Sequence, residues 1–505
     1  MDKPFQKNHN QPTDYEEAFL EDVADQIAYK PLRPAVVREL KDHIDDRTEE
    51  YLSEGMSPED AVKKAVDAMG DGVAIGTGIN AVRHVRSSRL LMVLTVILLL
   101  IGLAAETCTA VIPELTFRGL HIYLTGAVLL VVMALKGYPL LIRYQKRLLI
   151  LAAAIFAAEA IFLSMIEFDW IADVIWDTAY IIPWHMIDYY ALLLTGPVVV
   201  ILLYRMRKQT PKAMAAAFLL TAGAVLIHYF TYKSFTLAET VTFLFSMIGT
   251  VLYMICREIF TGNKRRLLIQ AAAGGVVLLL VYGMLPGQSR YFQAFVNPEA
   301  SAYDTLSDSY NGVLIQELLS KSPLAGQISL TPEELMEYGT GEWYFSCGDA
   351  REAAAEGKKP FSEHHRSIFR SDPSDVTLWN ILPQHYANNY LLAVFILQFG
   401  WLAGFLFLAV MSAFYAVLFS CIRRIHGALA GAVSFHCGLC LLFQSVLYIL
   451  GNFGFQYGSF TNLPMVSEGS ISILVNMLLL GFIFSAYRYD RVIDAPACGQ
   501  RSSAV

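Results

Sequence analysis

Ten apolar stretches, each near the roughly 20 residues that a helix needs to cross a bilayer, divide this chain of 505 residues. Hydrophobic residues make up 55% of the sequence and charged residues 16%, which leaves too little polar surface for several soluble domains. The sequence therefore predicts an all-α, polytopic membrane protein of about ten transmembrane helices. The predicted spans are residues 89–112, 119–136, 146–166, 186–204, 213–230, 236–256, 267–286, 390–420, 428–451 and 470–487.

Every second link between these spans is rich in Lys and Arg. Basic residues near span ends are retained on the cytoplasmic side. The opposite short links contain only Arg118 and Lys233. The alternation predicts a multi-pass protein with both termini in the cytoplasm and a large extracytoplasmic loop at 287–389. The net charge of -7 does not favour nucleic acid as a partner. The basic links hold Arg83, Arg86 and Arg89; Lys136, Arg143, Lys146 and Arg147; Arg205, Arg207, Lys208 and Lys212; Arg257, Lys264, Arg265 and Arg266; Arg423 and Arg424; and Arg488 and Arg491.

Residues 1–85 have the pattern of a small cytoplasmic helical domain ahead of the membrane domain at 86–491, with residues 492–505 as a tail. Apolar residues at helical spacing run to Gly55, and Ser57 then caps a second helix that runs to Gly70. This opening resembles the prefix domains fused ahead of bacterial permeases, and the resemblance implies regulation or docking. The residues that carry it are Glu39, Leu40, His43, Gly55, Ser57, Ala61, Gly70 and Asp71.

Polar residues inside spans are functional candidates, because a bilayer penalises them unless they face a bundle interior or a water-filled cavity. Helix-to-helix hydrogen bonding is the alternative for each of them. His436, Cys437 and Cys440 have a spacing that suits a metal, but without a second pair of ligands they predict packing between helices. The polar candidates are Glu106, Glu159, Asp188, His228, Glu239, Gln398, Gln444 and Asn476.

The last span begins with the segment LPMVSEGSIS, from Leu463 to Ser472. Backbone N–H groups at such a helix start can hold an anion such as a pyrophosphate, and close packing by small residues is an equal alternative. This segment resembles the closing motif of the SEDS family (shape, elongation, division and sporulation), which are ten-span proteins that polymerise lipid II. The family also has a Gln and a Gly ahead of this motif, which match Gln444 and Gly454.

Two further blocks resemble the same family. Arg290, Pro298, Tyr310 and Gly326 match its pattern at the start of the large exterior loop. Leu382, Pro383, Ala393 and Gly400 match its pattern at the end of that loop. The resemblance implies that Arg290, Gln444, Pro464, Ser467, Gly469 and Ser470 bind substrate.

The departures from the family pattern concentrate on the carboxylates. Aligned on Ala393, the catalytic Asp of the family falls on Asn389, and the Glu that follows the motif Pro falls on Gln384. An amide cannot take the proton that the acceptor sugar hydroxyl must lose. Asp375 and His385 lie nearest the next span and are the predicted substitutes, whereas an ordinary solvated loop is the alternative.

The resemblance implies a bacterial plasma-membrane protein that binds lipid II or a related undecaprenyl-linked sugar during division, elongation or sporulation. It also implies a class B penicillin-binding protein, a single-span transpeptidase, as partner. An active enzyme would be a peptidoglycan glycosyltransferase with a divalent cation, although no metal-ligand motif in the sequence supports the ion and no other cofactor is evident. The alternatives are a catalytically inactive scaffold or regulator and a transporter or flippase of a lipid-linked precursor.

Overall fold

The protein is described by a computed structural model over residues 12–109, 120–166, 184–232, 237–302, 309–338, 377–383, 386–458, 462–467 and 470–493. The regular structure within these residues is entirely helical, which confirms the predicted all-α fold. The chain divides into two compact units, one of residues 1–87 and 487–505 and the other of residues 88–486. The domain boundaries given by the sequence stay predictions.

The described residues of the first unit form four α-helices and a short 3-10 helix at Lys30–Leu32. Gly55, Ser57 and Gly70 mark helix ends as the sequence predicts, whereas the helices at Pro12–Gln26 and Gly72–Val82 were not predicted. Ser57 accepts a hydrogen bond from the Asp60 N–H at 3.2 Å, and Asp71 accepts one from the Val73 N–H at 3.1 Å. Gly55 and Gly70 have φ values of 90° and 93°, which only glycine adopts without strain. The helices are α1 (Pro12–Gln26), α2 (Arg33–Ser53), α3 (Pro58–Met69) and α4 (Gly72–Val82).

The glycines of α4 allow this helix to lie directly against α1. A Cβ at Gly76 would come within 2.6 Å of the Val23 carbonyl oxygen, and one at Gly72 within 3.1 Å of the Phe19 carbonyl oxygen. The glycine-rich sequence here therefore serves helix packing.

Residues from the C-terminal side of the chain complete the first unit. Val492 is buried in the same apolar core as Val23 of α1. The Arg86 guanidinium lies 2.7 Å from the Asp490 carboxylate, whose side chain is fully buried. Arg86 also donates its backbone N–H to the Arg488 carbonyl oxygen at 3.1 Å. The backbone hydrogen bond and the buried ion pair thus join Arg86 to residues 488–490 within the first unit.

The second unit contains the apolar helices and the short helices of the large loop at residues 287–389. Within the described residues, seven helices are long and apolar enough to cross a membrane. The unit comprises α5 (Arg89–Thr109), α6 (Leu120–Ile166), α7 (Trp184–Arg205), α8 (Thr210–Tyr232), α9 (Leu237–Cys256), α10 (Lys264–Met284), α11 (Gln288–Val296), α12 (Ser309–Lys321), α13 (Pro332–Tyr338), α14 (Leu378–Ile381), α15 (Tyr386–Asn389), α16 (Leu391–Phe399), α17 (Trp401–Arg423), α18 (Ala428–Asn452) and α19 (Ser470–Tyr489).

Helix α6 corrects the prediction of two separate spans at 119–136 and 146–166. It is one helix of 47 residues with Pro139 inside it, and at about 1.5 Å per residue it is roughly 70 Å long. The link between the predicted spans, residues 137–145, contains Gly137 and Pro139, yet the helix continues through it. The Tyr138 N–H beside the proline donates to Ser485 Oγ of α19 at 3.0 Å, which satisfies that backbone group.

The predicted span at 390–420 is also two helices, because the chain breaks at Gly400. This residue has a φ of 86° and separates α16 from α17. Backbone of the large loop lies against the break: the Gly326 N–H donates to the Phe399 carbonyl and the Ile328 N–H to the Leu397 carbonyl. A Cβ on Gly400 would come within 2.6 Å of the Ala325 Cα. This part of the large loop is thereby fixed beside the start of α17.

We expect Gly400→Ala to destabilise the protein by about 2 kcal/mol or more, because alanine meets both an unfavourable φ and backbone atoms of Ala325. The measurement is the thermal unfolding midpoint of the purified chain in detergent. Gly283→Ala in α10 is the matched control, since a Cβ there meets nothing within 4 Å. Equal midpoints for the two variants would contradict the assigned role of Gly400.

We expect Asp490→Asn to destabilise the first unit by about 3–5 kcal/mol, because it removes the carboxylate from a partly buried guanidinium. Amide hydrogen exchange in residues 12–53 measures the effect. The control is Asp25→Asn, whose carboxylate pairs with Arg33 at 3.2 Å on the surface and contributes at most about 1 kcal/mol. Exchange rates that change equally in both variants would overturn the prediction.

Candidate functional site

Two side chains of α18 fix the segment that carries Asn389. The Tyr448 hydroxyl donates to the Asn388 carbonyl oxygen at 2.6 Å and accepts the Leu391 N–H at 3.1 Å. Asn452 Nδ2 donates to the Asn389 carbonyl oxygen at 2.9 Å, and Asn452 Oδ1 accepts the Ala393 N–H at 3.0 Å. The backbone at the predicted catalytic position is therefore held by four hydrogen bonds from one helix.

The groups at this position are amides. Asn389 is half-buried, and the neighbouring Asn388 Oδ1 is buried without a hydrogen-bond partner among the described residues. Gln384, Asp375 and His385 lie outside the described residues. The catalytic roles of Asn389, Asp375 and His385 stay predictions.

Gln456 and Tyr457, which follow α18, connect this segment to a second polar cluster. That cluster contains Gln288, Tyr282 and Glu239. Gln456 Oε1 accepts a hydrogen bond from the Tyr390 hydroxyl at 3.2 Å, next to Asn389. The following residue, Tyr457, donates its hydroxyl to Gln288 Oε1 at 2.8 Å, and Gln288 is 1% exposed. Tyr457 also lies close to Tyr282 near the end of α10.

Glu239 belongs to this second cluster. It lies in the first turn of α9, is 4% exposed, and is close enough to Tyr282 to act on it electrostatically. The N-terminus of a helix favours a negative charge at such a place. Among the residues of the second unit whose side chains the structure describes, Glu239 is the one buried carboxylate; the side chains of Glu106, Glu159 and Asp188 are not among them. The sequence indicated Glu239 as one of eight polar candidates inside spans. It could not rank these candidates by burial, because burial depends on how the helices pack.

Arg290 lies in the same short helix, α11, as Gln288. It is half-buried, and its backbone N–H donates to the Gly287 carbonyl oxygen at 3.1 Å. Of the predicted substrate-binding residues that the structure describes, Arg290 is thus the one that shares a helix with Gln288 of the second polar cluster.

Gln444 is placed in the interface between α18 and α19. Its Nε2 donates to Asn476 Oδ1 at 3.1 Å and to the Cys440 carbonyl oxygen at 3.0 Å, while Asn476 Nδ2 donates to Ser472 Oγ at 3.2 Å. Gln444 and Asn476 have no exposed surface. These contacts correspond to the helix-to-helix alternative for both residues, and substrate binding by Gln444 stays a prediction.

The described part of the closing motif, residues 462–467, is a tightly packed turn. Ser467 Oγ accepts the Leu463 N–H at 2.7 Å, and the Val466 carbonyl oxygen accepts the Tyr123 hydroxyl at 2.8 Å. A Cβ on Gly102 of α5 would come within 2.7 Å of that same carbonyl oxygen. Pro464 and Ser467 are buried here, whereas Gly469 and the Ser470 side chain lie outside the described residues. Anion binding by this motif stays a prediction.

His436, Cys437 and Cys440 lie between helices, as the sequence predicts. His436 Nδ1 lies 3.1 Å from Thr250 Oγ1 of α9, and its Nε2 lies 3.5 Å from Cys440 Sγ. Any side chain at Gly196 of α7 would overlap the His436 ring. No group of three His, Cys, Asp or Glu side chains within the described ranges is arranged to hold a metal ion. The divalent cation stays a prediction, and we derive no step through it.

One acid of the large loop, Glu334, has a structural role. Glu334 Oε2 accepts the Thr331 N–H at 2.8 Å while Thr331 Oγ1 accepts the Glu334 N–H at 3.2 Å, which is a capping box at the start of α13. Lys321 lies 2.6 Å from Glu334 Oε1. The Lys321 hydrogen bond, together with the Thr331 N–H, lowers the pKa of Glu334. Most other acids of this loop lie outside the described residues.

Comparison with known proteins gives a match in sequence to a curated protein and a likeness of fold to solved structures. The chain is 29% identical over 121 residues to a protein named probable peptidoglycan glycosyltransferase FtsW from Thioalkalivibrio sp. (strain K90mix). The match covers 23% of this chain and 29% of that relative, so the chain spans less than a third of the relative's length. No family model matches the chain.

The likeness of fold extends over most of the molecule. A chain in a solved structure described as "Structural coordination of polymerization and crosslinking by a peptidoglycan synthase complex" aligns with a TM-score of 0.50. The alignment covers 81% of this chain and 99% of that chain at 14% identity. At this identity the comparison establishes the fold.

We expect Tyr448→Phe to accelerate amide exchange in residues 386–393, because it removes the hydroxyl that bonds Asn388 and Leu391. A net loss of about 1 kcal/mol corresponds to roughly a fivefold faster exchange. Tyr415→Phe is the control, since the Tyr415 hydroxyl contacts Leu441 and Ser445 instead. If both variants accelerate exchange in this segment equally, Tyr448 does not hold it specifically.

Proposed function

We propose that this chain, a divergent member of the SEDS family, acts in assembly of the bacterial cell-wall glycan and binds a lipid-linked sugar such as lipid II. The observation that carries the proposal is the fold shared over 99% of a chain from a peptidoglycan synthase complex. The local match to a probable peptidoglycan glycosyltransferase supports it independently. The membrane-spanning helices are consistent with a substrate that is itself anchored in lipid.

Glycosyl transfer needs a group that removes a proton from the acceptor hydroxyl. The amides of Asn388 and Asn389 cannot do this. Glu239 is the best-supported alternative among the described residues, because it is a buried carboxylate in a cluster that Tyr457 and Gln456 connect to Tyr390. In an active enzyme, the hydroxyl oxygen would attack the anomeric carbon of the donor, its proton would pass to Glu239, and the lipid pyrophosphate would leave.

The test is gel-resolved polymerisation of labelled lipid II by the purified chain. We expect Glu239→Gln to lower the rate about 100-fold or more, the usual contribution of a general base. Asp375→Ala and His385→Ala test the other predicted bases. Glu333→Gln is the control, because this acid is exposed on α13. Polymer formation that survives Glu239→Gln but is lost with Asp375→Ala would assign the base to the loop.

A scaffold without catalytic activity is the second candidate, and the run of amides at Asn388 and Asn389 favours it. Such a scaffold would hold lipid II or a partner such as a class B penicillin-binding protein without transferring a sugar. The same preparation distinguishes the two functions when binding of labelled lipid II and of the partner is measured beside polymerisation. Binding without polymer, with polymer gained in Asn389→Asp, would identify a scaffold derived from an enzyme.

A further inference from the structure

Three helices of the second unit enclose an elongated groove. Helices α8, α9 and α10 surround a cavity of about 570 Å³, which lies in the range of about 300–1,000 Å³ typical of pockets for small organic ligands. It extends from the links at Thr210 and Thr261 to Leu278 in the middle of α10. The cavity is separate from the Asn389 segment and from the Glu239 cluster.

Most of the groove is apolar, and small residues of α10 make room for it. Phe218, Ile248 and Val251 are among the side chains of its walls. A Cβ at Gly274 would lie 3.7 Å from a ring carbon of Phe218, which is ordinary contact. A larger side chain at this position would therefore fill the groove. An apolar slot of this form suits a hydrocarbon chain.

The mouth of the groove is polar and positively charged. Asn263, Arg266 and Gln270 line it, and Arg266 is exposed with no ion pair among the described residues. Asn263 caps α10 by accepting the Arg266 N–H at 3.2 Å, so the positive end of this helix lies at the same place.

The links around the mouth strengthen this positive charge. These links are residues 205–212 and 257–266, and Glu258 is the only acid in them. Lys264 Nζ lies 3.3 Å from Glu258 Oε1. Basic side chains near the N-terminus of a helix have the same sign of charge as that end of the helix dipole. Together they attract an anion. The basic side chains of the two links are Arg205, Arg207, Lys208, Lys212, Arg257, Lys264, Arg265 and Arg266.

We propose that this groove binds one anionic phospholipid, with an acyl chain between α8, α9 and α10 and the phosphate on Arg266. The occupant follows from charge and shape together, since the site offers a cationic mouth above a hydrocarbon-sized slot. The basic links are the ones that the sequence predicts to be cytoplasmic, and the cytoplasmic leaflet carries the anionic lipids that attract such segments. The proposal does not depend on glycosyl transfer.

The test is lipid retention by the full-length chain in detergent, measured by native mass spectrometry. Phosphatidylglycerol and phosphatidylcholine with identical acyl chains are added in parallel, and inorganic phosphate is the competitor. We expect preferential retention of phosphatidylglycerol, and an approximately tenfold loss in Arg266→Gln, as for a charge-assisted hydrogen bond. Gly274→Leu should also abolish retention by filling the slot.

Two matched control variants distinguish lipid binding in the groove from non-specific electrostatic attraction of the lipid to the protein. Arg265→Gln removes the neighbouring exposed charge, which does not line the groove, and should change retention less than twofold. Gly283→Leu adds the same side chain to α10 where it meets open space, and should leave retention unchanged. Equal losses in Arg265→Gln and Arg266→Gln, or full retention in Gly274→Leu, would overturn the proposal. Displacement by inorganic phosphate would likewise overturn it in favour of a free-anion site.

Discussion

The central constraint on this protein is that polar groups within a bilayer must find their partners inside the protein. Helix α18 meets this constraint on several sides at once. Its Gln444 bonds Asn476 of α19, its His436 meets Thr250 of α9, and Tyr448 and Asn452 hold the backbone of residues 388–393. Removing any of these partners leaves a buried polar group unsatisfied, so α18 orients the helices around it and the segment on which the candidate chemistry depends.

The sequence predicted the all-α class, helices α2 and α3 of the first unit and helices over most of the spans, because each follows from local apolar patterning and capping residues. It missed two features that involve tertiary contacts. Helix α6 continues past Pro139, where Ser485, distant in sequence, accepts a hydrogen bond from the Tyr138 N–H. At the break at Gly400, backbone around Ala325 lies where a side chain would be. Both partners are far away in the sequence and leave no local signal.

The candidate site was only partly predictable for a similar reason. Sequence spacing identified Asn389 and Arg290 as candidates, and it included Glu239 among other polar residues of the spans. It could not indicate that Glu239 is buried beside Tyr282, since that depends on how α9 and α10 pack. Gln444 and Ser467 looked equivalent to Arg290 in the sequence, yet the hydrogen bonds of both are made within the packed helices and turn. The resemblance to a motif therefore identifies position more reliably than chemical role.

The core of the first unit includes Val492, and its buried carboxylate is Asp490, both of which follow α19 in the chain. Helices α1 to α4 are therefore translated well before the residues that complete their core. The first unit can finish folding only after α19 has been synthesised. A chain truncated before residue 490 lacks both Asp490 and Val492, so the folding of the first unit depends on synthesis of the whole second unit.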